Sequence, residues 1–222
     1  MQPAALPVQA IELPRPSIGS MSPQRLFDVA LALAGLPLLA LVAACLLALN
    51  PTCNSGPLFY RQRRMGWRGR PFTILKFRSM RPAPGLRAFG APVEGHRTPP
   101  LGAFLRRHRI DELPQIINVL RGEMSIIGPR PDALEHAELC AAIVPGYVAR
   151  TLVRPGITGL AQVTCGYAVG LMATAEKTRF DLHYIRNRSL RLDAMILWLT
   201  LSVVLRGGAG TSAGGERAAA RG

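Results

Sequence analysis

The sequence predicts an α+β protein, mostly helical, attached to a membrane through its N-terminal part. Three observations carry this expectation. Residues 29–49, VALALAGLPLLALVAACLLAL, contain no charged side chain. Residues 71–80, PFTILKFRSM, alternate loosely and suit a strand. Residues 101–120 space Leu101, Phe104, Leu105, Leu113, Ile116, Ile117 and Leu120 near a period of 3.6, which suits amphipathic helix. The length, 222 residues, fits one compact domain plus accessories. A charged fraction of 18% against 49% hydrophobic residues is low for a soluble domain.

Four segments are expected along the chain. Residues 1–24 are proline-rich and read as a flexible leader. Residues 25–50 are the membrane helix, ended by Asn50-Pro51. Residues 51–206 are the body of the protein, and the Gly/Ala/Ser-rich tail 207–222 reads as disordered. A straight helix over 29–49 reaches about 31 Å, close to a bilayer core. The run starts late and is long for a signal peptide, and it lacks a small-x-small cleavage site. A spanning helix and a re-entrant one both remain. Pro37, near the middle, favours a kink. Arg25 before the run and Arg61, Arg63, Arg64, Arg68 and Arg70 after it put both flanks on the cytoplasmic side by the positive-inside rule.

Within the body, 81–100 reads as a surface loop and 101–121 as helix, with Pro114 in the first turn of a new segment. SIIGPRP at 125–131 reads as a prolyl turn, 132–144 as helix, and VRPGITGLAQV at 153–163 as a turn leading into an extended segment. Residues 174–187 read as helix. The apolar stretch 192–205 is short for a span and suits a packed or interfacial helix.

The 27 Lys and Arg against 13 Asp and Glu give a formal charge of +14, which calls for anionic partners. Nucleic acid is disfavoured, because the chain has no zinc-finger spacing, RNA-binding signature or helix-turn-helix pattern. Anionic membrane lipids and phosphate substrates fit the apolar run better. Cys45, Cys53, Cys140 and Cys165 form no CxxC pair, and the four histidines do not cluster for a metal. No dinucleotide fingerprint or Walker sequence is present.

The acidic pair Asp111-Glu112 lies among Arg106, Arg107, His108 and Arg109. Adjacent residues do not share a helix face, so the two carboxylates can do different work. One can attack while the other holds a divalent cation, with the basic neighbours screening a phosphate. A solvated helix cap explains the same pair equally well. Lys76 and Arg78 interrupt an apolar stretch and are candidates for a substrate site. Arg130 between Pro129 and Pro131, and Arg154 before Pro155-Gly156, are arginines on constrained backbone suited to phosphate. An ordinary turn with an exposed arginine is the alternative for each.

Taken in order, RLFDVALALAGLPLL, GPLFYRQRRMGWRGRPFTILKFRSM, LGAFLRRHRIDELPQIINVLRGEMSIIGPRP, VRPGITGLAQV and FDLHYIRNRSLRLDAMILWLT resemble the bacterial sugar transferase family, the monotopic polyprenyl-phosphate phosphoglycosyl transferases. The resemblance runs from about Arg25 to Arg206. It implies a re-entrant helix–break–helix with the break at Pro37, and amphipathic interfacial helices around a small catalytic domain. That domain is expected on the cytoplasmic face of the bacterial inner membrane. It implies Asp111 as nucleophile, Glu112 as the magnesium-associated carboxylate, and Mg2+ as cofactor, with both carboxylates candidate metal ligands. It places Pro129, Arg130 and Pro131 near the nucleotide, and Lys76 and Arg78 on the phosphate side. The implied reaction takes a sugar-1-phosphate from a UDP-sugar to undecaprenyl phosphate and releases UMP. Interfacial helices suit a homodimer, and the leader is too short to be another domain. Four positions depart from the family pattern: Leu36 where serine is frequent, Arg64 where an acidic residue is frequent, the loop 82–100 whose one acidic residue is Glu94, and Tyr167 where arginine is common. A non-catalytic scaffold of a polysaccharide assembly complex is the competing reading.

Overall fold

The computed structural model describes residues 22–54, 56–82, 89, 95–165 and 170–205. Most of the expected leader, most of the loop 82–100 with Glu94, Tyr167 and the tail 207–222 lie outside the described residues. The fold is mostly helical and monotopic, with one long apolar helix at its N-terminal end.

That helix, α1 (Pro23–Cys53), starts where Ser22 accepts a hydrogen bond from the Arg25 amide at 3.3 Å and Pro23 takes a first-turn position. It runs without interruption through Pro37. The missing proline N–H removes one bond, to the carbonyl of Leu33, a residue on an exposed face. The expected end at Asn50-Pro51 is also passed: the helix continues three residues to Cys53. Thr52 Oγ1 bonds Leu49 O at 3.1 Å and the Asn54 amide bonds Asn50 O at 3.1 Å, so the carbonyls near Pro51 keep partners.

The buried residues of α1 are Asp28, Ala32, Leu39 and Leu46, one stripe along the helix. Ala32, Leu39 and Leu46 join the same core as Ile74, Phe77, Leu105, Ile116 and Val119. A Cβ on Gly35 would touch the Ile116 side chain at 3.4 Å. The stripe covers about 27 Å of helix at the α-helical rise. A helix crossing a bilayer leaves about 30 Å clear of its soluble domain. Here the body lies alongside the helix instead. The other faces stay apolar and exposed, among them Leu26, Phe27, Leu31, Leu33, Leu38, Leu41 and Leu47.

The body begins with an antiparallel hairpin, β1 (Phe59–Met65) and β2 (Pro71–Phe77), in which Tyr60 faces Lys76 and Phe59 stacks on Phe77. The helical stretch expected over 101–121, with a new segment opening at Pro114, is three pieces: α2 (Pro100–Arg107), a 3-10 turn at Ile110–Glu112, and α3 (Gln115–Leu120) capped by Pro114. Arg109 breaks it with a left-handed φ of 54°. SIIGPRP is not turn throughout. Ser125–Ile127 is strand β3, parallel to β4 (Gly156–Thr158), and the turn is confined to the prolyl residues beyond Ile127. α4 (Leu134–Ile143) lies between the two strands in sequence. Within 153–163, expected as a turn leading into an extended segment, β4 is extended, but Leu160–Thr164 is a short helix, α5. α6 (Leu171–Arg186) packs on α5, and α7 (Leu190–Leu205) packs on α5, β3 and β4.

Candidate active site

The site is assembled by β2, the 3-10 turn at 110–112 and the segment after β3. β1 covers one edge of β2. On the other edge Asn118, fully buried on α3, stands in for a strand. Its Oδ1 accepts from the Leu75 amide at 3.0 Å, and its Nδ2 donates to Thr73 O at 2.8 Å and to Glu123 Oε2 at 2.7 Å. This fixes α3 against β2 and brings Lys76 to the turn that carries the acidic pair.

Glu112 is 5% exposed and surrounded by cations. Its Oε1 receives Lys76 Nζ at 2.8 Å and an Arg130 guanidinium nitrogen at 2.5 Å. Its Oε2 faces a second Arg130 nitrogen and Arg109, each at 3.4 Å. Arg130 therefore forks across both oxygens. Burial alone would raise the Glu112 pKa, but Arg130 and Lys76 outweigh it and hold the carboxyl well below its usual range. Lys76 moves down because it is desolvated, an effect that Glu112 partly offsets.

Asp111, one residue earlier, differs. It is 6% exposed, and among the described residues no side chain hydrogen-bonds or ion-pairs with it. Burial pushes its pKa up, with Lys76 opposing and the neighbouring Glu112 adding to the rise. One carboxylate is thus saturated with cations, and the other is buried beside the same cations without a bond to them. Such a group is poised to meet an electrophilic phosphorus or a cation.

The segment Gly128–Asp132 positions Arg130 from behind. Gly128 and Gly156 approach so closely that a Cβ on Gly156 would collide with the backbone of Gly128. Pro129 and Pro131 flank Arg130, whose side chain reaches Glu112 while its own carbonyl accepts from Arg150 at 3.0 Å.

Lys76, Asp111, Glu112, Arg130 and its two prolines are thereby brought together. Arg78 and Arg154 are placed elsewhere. Arg78 is buried at the end of α1, donating to the carbonyls of Pro57 and Asn54 and to Asn50 Oδ1. Arg154 donates to Gly122 O at 2.9 Å and stacks over Trp67 at 4.7 Å. Pro37 lies inside α1. Sequence reasoning passed over Asn118, Asp132, Tyr147, Arg150 and Asp181, which hold the site from outside. The one local signal was Asp132, directly after the Pro-Arg-Pro element.

The donor atoms at the site suit a hard divalent cation in part. Mg2+ is commonly held by one or two carboxylates, with water and substrate phosphate completing its shell. The Asp111 oxygens fit that role. Both Glu112 oxygens are already committed to Lys76, Arg130 and Arg109, so Glu112 would contribute only by sharing one. Among the described residues no group of three or more His, Cys, Asp or Glu could hold a metal.

The fold and site define a membrane-attached protein that gathers several cations around a buried acidic pair, a class suited to anionic phosphorus substrates. The chain belongs to the bacterial sugar transferase family, which it matches over residues 20–207. It is 44% identical over 180 residues to a UDP-glucose:undecaprenyl-phosphate glucose-1-phosphate transferase of Xanthomonas campestris, covering 79% of this chain and 36% of that protein. To the enzyme of that name from Escherichia coli it is 39% identical over 181 residues, covering 80% of this chain and 39% of that one. The chain thus spans well under half the length of these two relatives. It is 34% identical over 203 residues to the exopolysaccharide production protein ExoY of Sinorhizobium fredii, covering 84% of this chain and 87% of that protein.

Proposed function

We propose that this protein is a phosphoglycosyl transferase that moves a sugar-1-phosphate from a UDP-sugar to undecaprenyl phosphate. The observation that carries this reading is the Asp111 carboxylate, buried, unbonded among the described residues, and adjacent to Lys76 and Arg130. The names of its relatives support the donor and acceptor classes.

In the proposed mechanism an Asp111 oxygen attacks the phosphorus that bears the sugar. The bond from that phosphorus to the bridging oxygen breaks, and UMP leaves with the electron pair. A phosphate oxygen of undecaprenyl phosphate then attacks the same phosphorus, and the Asp111 carboxylate departs. The product is a polyprenyl-diphosphate-sugar. Because the nucleophile is an anion, neither step needs a base to remove a proton. Lys76 and Arg130 stabilise charge on the phosphoryl oxygens, and Glu112 keeps both cations at that place. Bound Mg2+, held by Asp111 or by a shared Glu112 oxygen together with diphosphate oxygens, would neutralise the diphosphate. The donor sugar is open, because the relatives' names include both glucose and N-acetylgalactosamine donors.

The same reading makes α1 a re-entrant element that enters and leaves by one face, with Pro37 as the site of a bend in the bilayer that the continuous helix described above does not show. It places the catalytic body 51–206 on the cytoplasmic face of the inner membrane, against anionic lipid. Arg25 before the apolar run and the arginines from Arg61 to Arg70 after it support this orientation. The exposed apolar side chains of α1 and α7 are consistent with bilayer contact and with a homodimer.

The test is UMP release by the purified chain with a panel of UDP-sugars, undecaprenyl phosphate and Mg2+. At least one donor is expected to yield UMP, and Asp111→Asn is expected to abolish it. An Asp111→Asn protein of undiminished turnover overturns the mechanism.

A further inference from the structure

The strongest unused feature is a buried ionic cluster behind the Pro-Arg-Pro element. Arg150, 7% exposed, sends Nε to Asp181 at 2.7 Å and Nη1 to Asp132 at 2.8 Å. Its remaining nitrogen, Nη2, donates to the backbone carbonyl of Arg130 at 3.0 Å. The guanidinium lies 4.8 Å over the Tyr147 ring, and the Tyr147 hydroxyl donates to Asp132 at 2.7 Å.

The carbonyls on either side of Arg130 are tied as well. Pro129 O accepts from the Gly156 amide at 2.9 Å, Pro131 O from Arg64 at 2.9 Å, and Asp132 O from the Met65 amide at 3.1 Å. Four consecutive carbonyls are thus each held by a different donor, and Arg150 holds the one belonging to Arg130. Burying such a cluster is not needed for stability alone, since apolar replacements of buried ion pairs are often neutral or stabilising. A lysine carries its three donors on one nitrogen and cannot reach three acceptors spaced around the edge of a guanidinium, which Arg150 serves with Nε, Nη1 and Nη2.

We infer that Arg150, anchored by Asp132 and Asp181, is a positioning residue that sets the backbone of Arg130 and so aims its side chain at Glu112 and the donor phosphate. This rests on the proposed transfer reaction. Displacing a group that contacts the reacting phosphate by about 1 Å costs on the order of a hundred-fold in rate.

The experiment uses the full chain in lipid nanodiscs. Donor KM and kcat for UMP release are measured beside thermal melting for the wild type, Arg150→Lys, Asp181→Asn, Arg130→Lys and the double variant Arg150→Lys/Arg130→Lys. Arg150→Lys keeps a cation between the two carboxylates but loses the Arg130 carbonyl. It is expected to fold and to lose about a hundred-fold in kcat/KM, with kcat carrying the larger share. In the Arg130→Lys background the same change is expected to cost under roughly threefold, since the group it aims is already altered. Should Arg150→Lys fail to fold, Asp181→Asn carries the test with an expected loss of about tenfold in kcat/KM. A folded Arg150→Lys with wild-type kinetics overturns the inference. So do effects of Arg150→Lys and Arg130→Lys that simply multiply, or an Asp181→Asn protein with wild-type kinetics. A wild type that releases no UMP from any donor overturns the transfer reading itself, and this inference with it.

Discussion

At the scale of single residues, two neighbouring carboxylates are given opposite surroundings. Glu112 is locked by Lys76, Arg130 and Arg109, and Asp111 is buried without a bond among the described residues. Replacing Glu112 by Gln leaves two largely buried cations without their counter-charge, a change that costs about 3–5 kcal/mol. The pH dependence comes from the direction of the shift. The folded Glu112 pKa lies below its unfolded value, so its stabilisation is full above the ordinary carboxylate range. It is lost as pH falls through the depressed folded value. Melting curves down to acid pH are expected to show this loss in the wild type and not in Glu112→Gln. Asp111→Asn removes a carboxylate whose pKa is raised by burial, and is expected to raise the melting temperature by about 2–4 °C while ending turnover. An Asp111→Asn protein that melts lower contradicts the dominance of desolvation at Asp111. Lys76 and Arg130 were legible because a charge interrupts apolar or prolyl sequence there, and Asp111 and Glu112 because an acidic pair stands in a basic run that resembles the family's motif. Arg78 and Arg154 carried the same local signal and are spent on backbone carbonyls. What a guanidinium donates to is decided by distant chain, which no local pattern records.

At the scale of elements, β2 is a strand with one true neighbour and one substitute. Asn118 supplies the missing edge with a single side chain, and so couples Lys76 to the helix after the acidic pair. Asn118→Ala leaves the Leu75 amide and the Thr73 carbonyl unpaired in the core. Chemical denaturation is expected to show a loss of about 1–3 kcal/mol for each buried group left unsatisfied. Donor affinity is expected to fall with it, because Lys76 loses its register. A loss below 0.5 kcal/mol would contradict this role (about the level of a neutral surface change). Element types were readable where the segment was long, as in α1, α6 and α7. They were misread at Ser125–Ile127 and Leu160–Thr164, where three to five residues are too few to show a period. Both segments get their conformation from tertiary contacts, β3 and β4 from each other and α5 from α6 and α7.

At the scale of the whole molecule, one stripe of α1 serves the protein core while its remaining faces serve the surroundings. The apolar run announced a membrane helix but not how the body would sit beside it. That arrangement depends on the stripe Ala32, Leu39 and Leu46, invisible within a uniformly apolar sequence, and on Asp28. The Asp28 carboxylate accepts from Ser125 Oγ at 2.9 Å and from the Ile126 amide at 2.8 Å, binding the start of α1 to β3. With α1 proposed to enter and leave by one face, single-cysteine variants at Ser22 and Thr52, in a background without the native cysteines, are both expected to resist an impermeant thiol reagent outside intact cells. Both are expected to react once the membrane is opened. Labelling of one of them from outside contradicts the re-entrant proposal.

The central claim, a covalent bond between the carboxylate at position 111 and the phosphorus of the donor, is tested most directly by peptide mass spectrometry. The purified chain is incubated with a turnover-competent UDP-sugar and Mg2+ in the absence of polyprenyl phosphate, then quenched and digested. A mass increase equal to one sugar phosphate is expected on the peptide containing Asp111, lost when the acceptor is added and absent from Asp111→Asn. An enzyme that turns over yet carries the sugar phosphate at another residue, or carries none at any time, contradicts the account.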